Sequence, residues 1–513
     1  MDLERLTTSE YGNLLDISDI KNVVQMNTQQ NKDVRVNYEN VHDNNSSTEK
    51  ALKKAYENLM KKDSSQKEKI IEEFREFKTK NREWLEPKSV FKGLIKKYSK
   101  YNFRDWEYID ANLYDETLVP IEKRLNRIAE ITNKYSYDMD IYMFEQFLAE
   151  KHLKEARKIL NDKGIELSGD MLVGFSGDEV WANPKAFLRA KTVGCGQPAL
   201  DFETQEGRYL LRKKVNRFAE LYDDIRVDYA WSYCDQTIYD YNGKLPTEKK
   251  YYRGEILDII EDEFRKVKGS KYKPESITYE FIANASLFNP YENGNLKPYV
   301  KDRTKIYCSN TMSEDWATTD AFKKRGWGKD SYILGATNHD CKSIKIEYQN
   351  NDKMTRECEI LSKILKIPKE KLKKLNEFIS AKFAEPMSSK HNMIFFLDAL
   401  NLDGLYKDNK DKTKDYRIKI PANYQDEYFK FLEEGCGYNP MDALEKNFVA
   451  QGRDKTNPEL YGEIVKYKRI LQSSPNGSVK NTALKIAAII ILGILSGIGV
   501  YYLTSKPNNN VAK

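Results

Sequence analysis

Three acidic residues each lie at or just beyond the end of a short segment typical of a β-strand. They are Asp228, Glu280 and Asp340, and the chain between them is long enough for a helix and a loop in each interval. Glycoside chemistry needs two carboxyl groups on one cleft, one to attack the anomeric carbon and one to protonate the leaving oxygen. A retaining enzyme holds them about 5–5.5 Å apart. With 79 Asp and Glu residues in the chain, structural ion pairs are the alternative.

The segment around Asp228 carries the clearest signal. An amphipathic helix is predicted from about Gly207 to Leu221, and apolar residues then alternate with polar ones over 225–230, which predicts a strand. Arg226 shares a strand face with Asp228, so we expect it to orient the carboxylate and hold it ionised. A helix followed by a strand is typical of parallel α/β barrels, where catalytic residues lie at the C-terminal ends of strands.

Further strands are predicted near 167–173, 276–281 and 332–335. The glycine-rich loop after the first of these places Asp170 and Asp178 where they could meet a polar ligand. The long polar stretch 284–330 is predicted to be an inserted, irregular loop region. These elements predict a parallel (β/α)8-type (TIM-like) barrel with its helices packed outside.

Helical periodicity predicts a side subdomain before the barrel. One helix is expected from Ser65 to Trp84, ended by Pro87, and the strongest helical pattern covers 139–162. His152 lies on its apolar stripe and is interpreted as a core residue. The predicted segments are 1–47 (N-terminal and polar), 48–136 (helical side subdomain), 137–435 (barrel), 436–471 (helical closing segment) and 472–485 (linker).

Composition excludes several classes of function. The net charge of +6 is small and dispersed, so no nucleic-acid partner is expected. The six cysteines are scattered, which predicts no metal site and fits a reducing compartment. The N-terminus shows no basic region followed by an apolar run, so no signal peptide is expected.

The C-terminal region contains an uncharged apolar run of 18 residues, Ile486–Leu503. As a helix it would cover about 27 Å, close to the thickness of a bilayer's hydrocarbon core. We therefore expect a single transmembrane helix that binds a lipid bilayer, followed by a short tail at 504–513. A buried C-terminal helix is the alternative. A C-terminal anchor without a signal peptide would leave the large domain in the cytoplasm.

Several motifs resemble those of the amylomaltase, or disproportionating enzyme, family of 4-alpha-glucanotransferases. The block from Gly164 to Phe187 is similar to the family pattern GI-x-L-x-GD…D-x-VWANP-x-x-F. Residues 224–229 resemble its D-x-R-I-D-H strand, 277–280 its I-x-A-E segment and 337–340 its T-H-D motif. Weaker likenesses occur at 11–17, 36–41 and 416–421, so the resemblance spans about residues 10–435.

The resemblance implies a role for each matched residue. Asp228 would be the nucleophile, Glu280 the general acid and base, and Asp340 the carboxylate that stabilises the transition state. Substrate binding is assigned to Arg226, His339, Asp170, Asp178 and Trp181. No cofactor is implied. The chain departs from the family at Tyr229, where the family has His, at Phe281, where it has Asp, and at the additional Asn338. It also offers no candidate for the barrel's first strands, which predicts an incomplete barrel.

The sequence therefore predicts an enzyme that transfers α-1,4-glucan segments between malto-oligosaccharides by a retaining double displacement. A catalytically inactive, membrane-anchored glucan-binding protein on the same fold is the alternative. A membrane-anchored interaction protein that no longer binds sugar is a third interpretation. The sequence does not indicate the oligomeric state.

Overall fold

The computed structural model describes residues 3–29, 47–162, 166–193, 196–241, 243 and 245–280, together with short stretches between 291 and 465. The chain divides into two units. The first comprises Met1–Gln30, Tyr38–Ile159 and Gly169–Tyr272, and the second comprises Asn31–Asn37, Leu160–Ser168 and Lys273–Lys513.

Helices dominate the start of the first unit. They are α1 (Ile17–Gln29), α2 (Ser47–Met60), α3 (Ser65–Lys80), α4 (Arg82–Tyr98), α5 (Tyr108–Ala111) and α6 (Ile121–Asn161). Before Ser168, the described residues form helices, 3-10 turns and loops. The predicted boundary between 136 and 137 falls inside α6, one residue beyond a non-helical Tyr135.

Two apolar clusters hold these helices together. The N-terminal cluster joins Leu6, Tyr11 and Leu14 to residues of α2, α3 and α6. Here His152 is only 6% exposed, and its ring meets Tyr11 edge-on at 5.1 Å, so its interpretation as a core residue is confirmed. The aromatic cluster comprises Val90, Phe91, Leu94, Ile95, Trp106, Leu113, Ile131, Met139 and Trp181.

The predicted helix from Ser65 to Trp84 is wrong in its end point. The chain leaves helical geometry at Asn81, and Pro87 lies inside α4 rather than ending a helix. Asn81 explains the break, because its side-chain amide donates to the Phe77 carbonyl and its carbonyl oxygen accepts from the Trp84 indole. A buried asparagine that bonds its own backbone competes with helix continuation.

The first unit also contains the strands that follow the helical layer. Strands β1 (Ser168–Met171) and β4 (Asp224–Val227) are sheet neighbours, and both match predicted strands. Helix α7 (Gly177–Ala182) follows β1, and α8 (Gln205–Leu221) leads into β4. Helix α9 (Glu255–Lys268) packs beside α8.

A second sheet, which the sequence analysis did not predict, is antiparallel. Its strand order is β3-β2-β5-β6, with β2 at Phe187–Thr192, β3 at Pro198–Leu200, β5 at Asp235–Asp240 and β6 at Pro246–Tyr251.

The second unit contains four consecutive parallel strands. In sheet order they are β7 (Ile277–Glu280), β10 (Ile306–Ser309), β11 (Tyr332–Gly335) and β12 (His391–Met393). Strands β7 and β11 confirm two predictions. Strand β10 corrects the prediction that 284–330 is irregular throughout, because Ile306–Ser309 pairs with strands on both sides. A short hairpin, β8 (Tyr291–Glu292) and β9 (Asn295–Leu296), also lies in that stretch.

The remaining described helices of the second unit are α10 (Asn351–Leu365), α11 (Lys369–Leu372) and α12 (Arg453–Thr456). Across the described residues, no helix combines the length and the apolar character needed to cross a bilayer. The predicted membrane helix, 486–503, lies outside those residues, as do the segments 472–485 and 504–513.

Candidate active site

An arginine joins two carboxylates at the ends of β1 and β4. Arg226 donates from Nη1 to Asp170 Oδ1 at 2.5 Å, and its Nη2 lies 3.3 Å from Asp228 Oδ1. The arginine side chain is 14% exposed, whereas the Asp228 side chain is 24% exposed. The guanidinium therefore supplies a shielded positive charge to a carboxylate that solvent and a ligand can still reach.

The backbone at the end of β4 turns sharply after Asp228. The Asp228 amide donates to the Met171 carbonyl at 3.0 Å, which ties the residue to the end of β1. Tyr229 has φ +51° and ψ 44°, a left-handed conformation that is uncommon for a tyrosine. This turn takes the chain away from the strand direction directly after the candidate nucleophile.

Aromatic side chains pack behind this turn. The Tyr229 and Trp231 rings have centroids 4.1 Å apart, and Tyr233 packs against Phe202 at 5.8 Å. Tyr233 is fully buried, and burial raises the pKa of its hydroxyl, with the Asp228 charge adding to the effect. Ionisation of Tyr233 beside Asp228 is therefore disfavoured, which leaves Asp228 with a neutral aromatic neighbour.

A lysine of α8 reaches the loop after β1. The Lys214 ammonium donates to the carbonyls of Leu172 and Gly174, at 2.5 and 2.7 Å, and lies 4.2 Å from the Phe175 ring centroid. Lys214 also lines a cavity of about 740 Å³ within the first unit. Burial lowers the pKa of Lys214 to about 8, although the charges of Glu179 and Asp228 oppose the effect.

The structure describes one of the other two predicted carboxylates, Glu280, but not Asp340. Glu280 is the last residue of β7 in the second unit and is 2% exposed, and all four residues of that strand are buried. Its neighbour in the parallel register is Tyr307 of β10. Asp340 and His339 lie outside the described residues.

Two predicted substrate-binding residues lie in structural contacts. Asp178 pairs with Lys88 of α4 at 3.2 Å. Trp181 is 2% exposed in the aromatic cluster, and its indole N–H donates to the Asp110 carbonyl at 2.8 Å. The Trp181 ring is thus packed inside the protein, and a sugar-binding role for this residue stays a prediction. The motif that contains it fastens α7 to the helical layer.

Lys214 was missed in the sequence, although a signal was present. It lies three residues after Leu211 and four before Phe218, at the border of the apolar stripe of α8. A lysine at such a border usually extends its ammonium to solvent. Only the structure shows that this one turns towards the β1 loop instead.

Comparison with known proteins identifies relatives that match part of the chain. A family model described as 4-alpha-glucanotransferase matches residues 3–207. The 4-alpha-glucanotransferase of Oryza sativa subsp. japonica is 27% identical over 169 residues, which cover 28% of this chain and 27% of that protein. The Clostridium butyricum 4-alpha-glucanotransferase is 25% identical over 212 residues, which cover 37% and 42%, respectively. The matched region thus spans less than half the length of either relative.

Solved structures extend the likeness to most of the chain. An amylomaltase from Streptococcus agalactiae, in complex with acarbose, matches with a TM-score of 0.63 and 14% identity, over 84% of each chain. An amylomaltase from Corynebacterium glutamicum matches with a TM-score of 0.56 and 13% identity, over 86% of this chain and 64% of that one. These matches show a TIM-barrel-type α/β fold. The family model and these relatives carry the description 4-alpha-glucanotransferase, the family that the motifs resemble, and they match part of the chain.

Proposed function

We propose that this protein is a 4-alpha-glucanotransferase that moves α-1,4-glucan segments between malto-oligosaccharides by a retaining double displacement. The observation that carries the proposal is the Asp170–Arg226–Asp228 arrangement at the ends of β1 and β4. Family relatives and the acarbose-bound structural neighbour support a malto-oligosaccharide as the substrate.

The proposed first step forms a bond between an Asp228 oxygen and the anomeric carbon. The glycosidic bond breaks, and Glu280 gives its proton to the departing O4. In the second step the O4 hydroxyl of an acceptor glucan attacks that carbon, its proton passes to Glu280, and the Asp228 carboxylate is released. Arg226 orients Asp228 in both steps. Asp340 and His339 are proposed to hold sugar hydroxyls as positive charge develops on the ring.

A maltotriose assay tests the activity. The full chain incubated with maltotriose is expected to give both shorter and longer oligosaccharides, with the new linkages in the α-configuration when read by ¹H NMR. Inverted linkages would contradict the retaining mechanism. Binding of maltotriose without any rearrangement would replace the enzyme with a glucan-binding protein on the same fold, and failure to bind would oppose both.

Membrane attachment is a second proposal, and it rests on the apolar run Ile486–Leu503. A helix of about 27 Å without charged residues matches the hydrocarbon core of a bilayer, which favours insertion. We expect the full chain to fractionate with membranes and a chain lacking 480–513 to leave them. Deletion of 504–513 alone is the matched control and should not change partitioning. Equal partitioning of all three chains would rule out the anchor.

A further inference from the structure

Lys214 connects helix α8 to the segment that supports the Asp228 backbone. Its ammonium donates to the carbonyls of Leu172 and Gly174, directly after β1. The preceding carbonyl, that of Met171, accepts the Asp228 amide at 3.0 Å. Three carbonyls within four residues are thus fixed, one by the candidate nucleophile and two by the lysine.

The segment has little freedom to move without Lys214 moving with it. The Gln197 side chain lies against Gly174, where an added Cβ atom would be 2.4 Å from its oxygen, so this side chain would have to move if the backbone there were displaced. On the other side, Asp170 at the end of β1 accepts from Arg226. Displacing residues 170–174 would therefore disturb both the Asp228 amide, which donates to Met171, and Arg226, which donates to Asp170.

Electrostatics give Lys214 a second connection with Asp228. The negative groups that act on its ammonium are Glu179 of α7 and Asp228, and the positive group is Lys88 of α4. Burial is the dominant influence and lowers the pKa of Lys214 to about 8. The cation is therefore present at neutral pH but is lost as the pH rises through that value.

We propose that Lys214 is a positioning residue for Asp228, because its ammonium fixes the 171–174 segment and places a second positive charge in the field of the nucleophile. This inference rests on the proposed glucan transfer in so far as Asp228 attacks the substrate. It assigns a role to a helix residue that matches no motif of the site.

Lys214→Met is the direct test, and Lys213→Met is its matched control. Lys213 is the neighbouring lysine on the same helix, but it pairs with Glu83 rather than with the β1 loop. We expect Lys214→Met to lower kcat by about 10²-fold, as expected for a misplaced reacting group, with little change in KM. Lys213→Met should retain wild-type kcat.

The pH profile separates positioning from mere packing. Wild-type kcat/KM should fall as the pH rises above about 8, because deprotonated Lys214 no longer carries the positive charge. Lys214→Arg keeps a cation and should restore much of the activity while moving this alkaline limb to higher pH. Lys214→Met should lack the limb. If Lys214→Met matched Lys213→Met in kcat and pH profile, the proposal would be overturned.

Hydrogen exchange keeps the inference separate from the proposed activity. Peptides that contain the Asp228 amide should exchange faster in Lys214→Met than in Lys213→Met, whether or not the wild type rearranges maltotriose. If Lys214→Met exchanged faster and the wild-type protein did not rearrange maltotriose, the structural role of Lys214 would stand and the proposed transferase activity would be rejected. Unchanged exchange would reject the inference.

The Lys214→Met variant is not expected to unfold. The pKa of Lys214 is lowered to about 8, so the buried ammonium destabilises the fold below about pH 8, and this cost disappears as the pH rises.

Discussion

Asp228→Asn is expected to abolish glucan transfer while leaving the fold intact. The amide has nearly the shape of the carboxylate but cannot form the glycosyl–enzyme bond, and single losses of a nucleophile lower rates by about 10⁴-fold or more. The contacts that hold the backbone in place survive, because the Asp228 amide still donates to Met171. Product formation from maltotriose and calorimetric binding of the same sugar are the two measurements.

Asp240→Asn is a matched control for this substitution. Asp240 ends β5 in the same unit and pairs with Lys191 at 2.6 Å, and its side chain is 61% exposed. The control should retain wild-type transfer. Full activity in Asp228→Asn would show that another group attacks the sugar, and loss of binding as well as transfer would mean that the substitution disturbs more than the nucleophile.

Asp110→Ala is expected to cause the largest loss of stability in the helical layer. Asp110 is 1% exposed and accepts hydrogen bonds from Arg127, Lys97 and the Tyr98 hydroxyl, at 2.6 to 2.9 Å. Removing the carboxylate breaks these bonds, although Lys97 keeps Glu107 and Arg127 keeps Glu130, so we expect a loss of about 3 kcal/mol, the lower end for a broken buried pair. Denaturant unfolding measures the free-energy change.

Glu107→Ala provides the comparison at the surface. Glu107 pairs with the same Lys97 at 2.9 Å, but its side chain is 72% exposed, so its removal should change stability little. Equal losses in the two variants would contradict the importance of burial. Asp110→Asn, which preserves the shape, should still be destabilised because the charge is gone.

The same cluster predicts how stability depends on pH. Burial alone would raise the pKa of Asp110, but hydrogen bonds from Arg127, Tyr98 and Lys97 outweigh it and lower the pKa from 3.8 to about 2. Because the folded-state pKa is depressed, this contribution is fully present above about pH 4 and is lost as the pH falls towards 2. Asp110→Asn should therefore flatten the acid limb of the unfolding free energy.

Local periodicity predicted strand β4, which leads directly into the candidate nucleophile. Ile225 and Val227 alternate with Arg226, and the structure places that strand one residue from its expected start. Strand β10 was not predicted because Ile306–Ser309 is embedded in a polar stretch whose composition resembles a loop. Its pairing with β7 and β11 determines the strand, and pairing between distant segments leaves no local pattern.

The candidate site was predictable only where contacts follow strand geometry. Arg226 and Asp228 share a face because they are two residues apart, and the 3.3 Å separation agrees with that expectation. The burial of Trp181 could not be predicted in this way, because a position in a motif says nothing about burial. Its place in the aromatic cluster depends on packing against α4 and the 103–106 turn.

Helix α6 determines how the helical layer unfolds. Its residues Ile131 and Met139 flank the non-helical Tyr135 and belong to the aromatic cluster, whereas Phe144, Phe147 and Leu148 belong to the N-terminal cluster. The part of α6 after Tyr135 alone contributes Met139 to the aromatic cluster and Phe144 to the N-terminal cluster, so loss of packing in either cluster would disturb the other. The layer should melt as a single cooperative unit, with Trp84 in one cluster and Trp106 in the other reporting the same transition temperature.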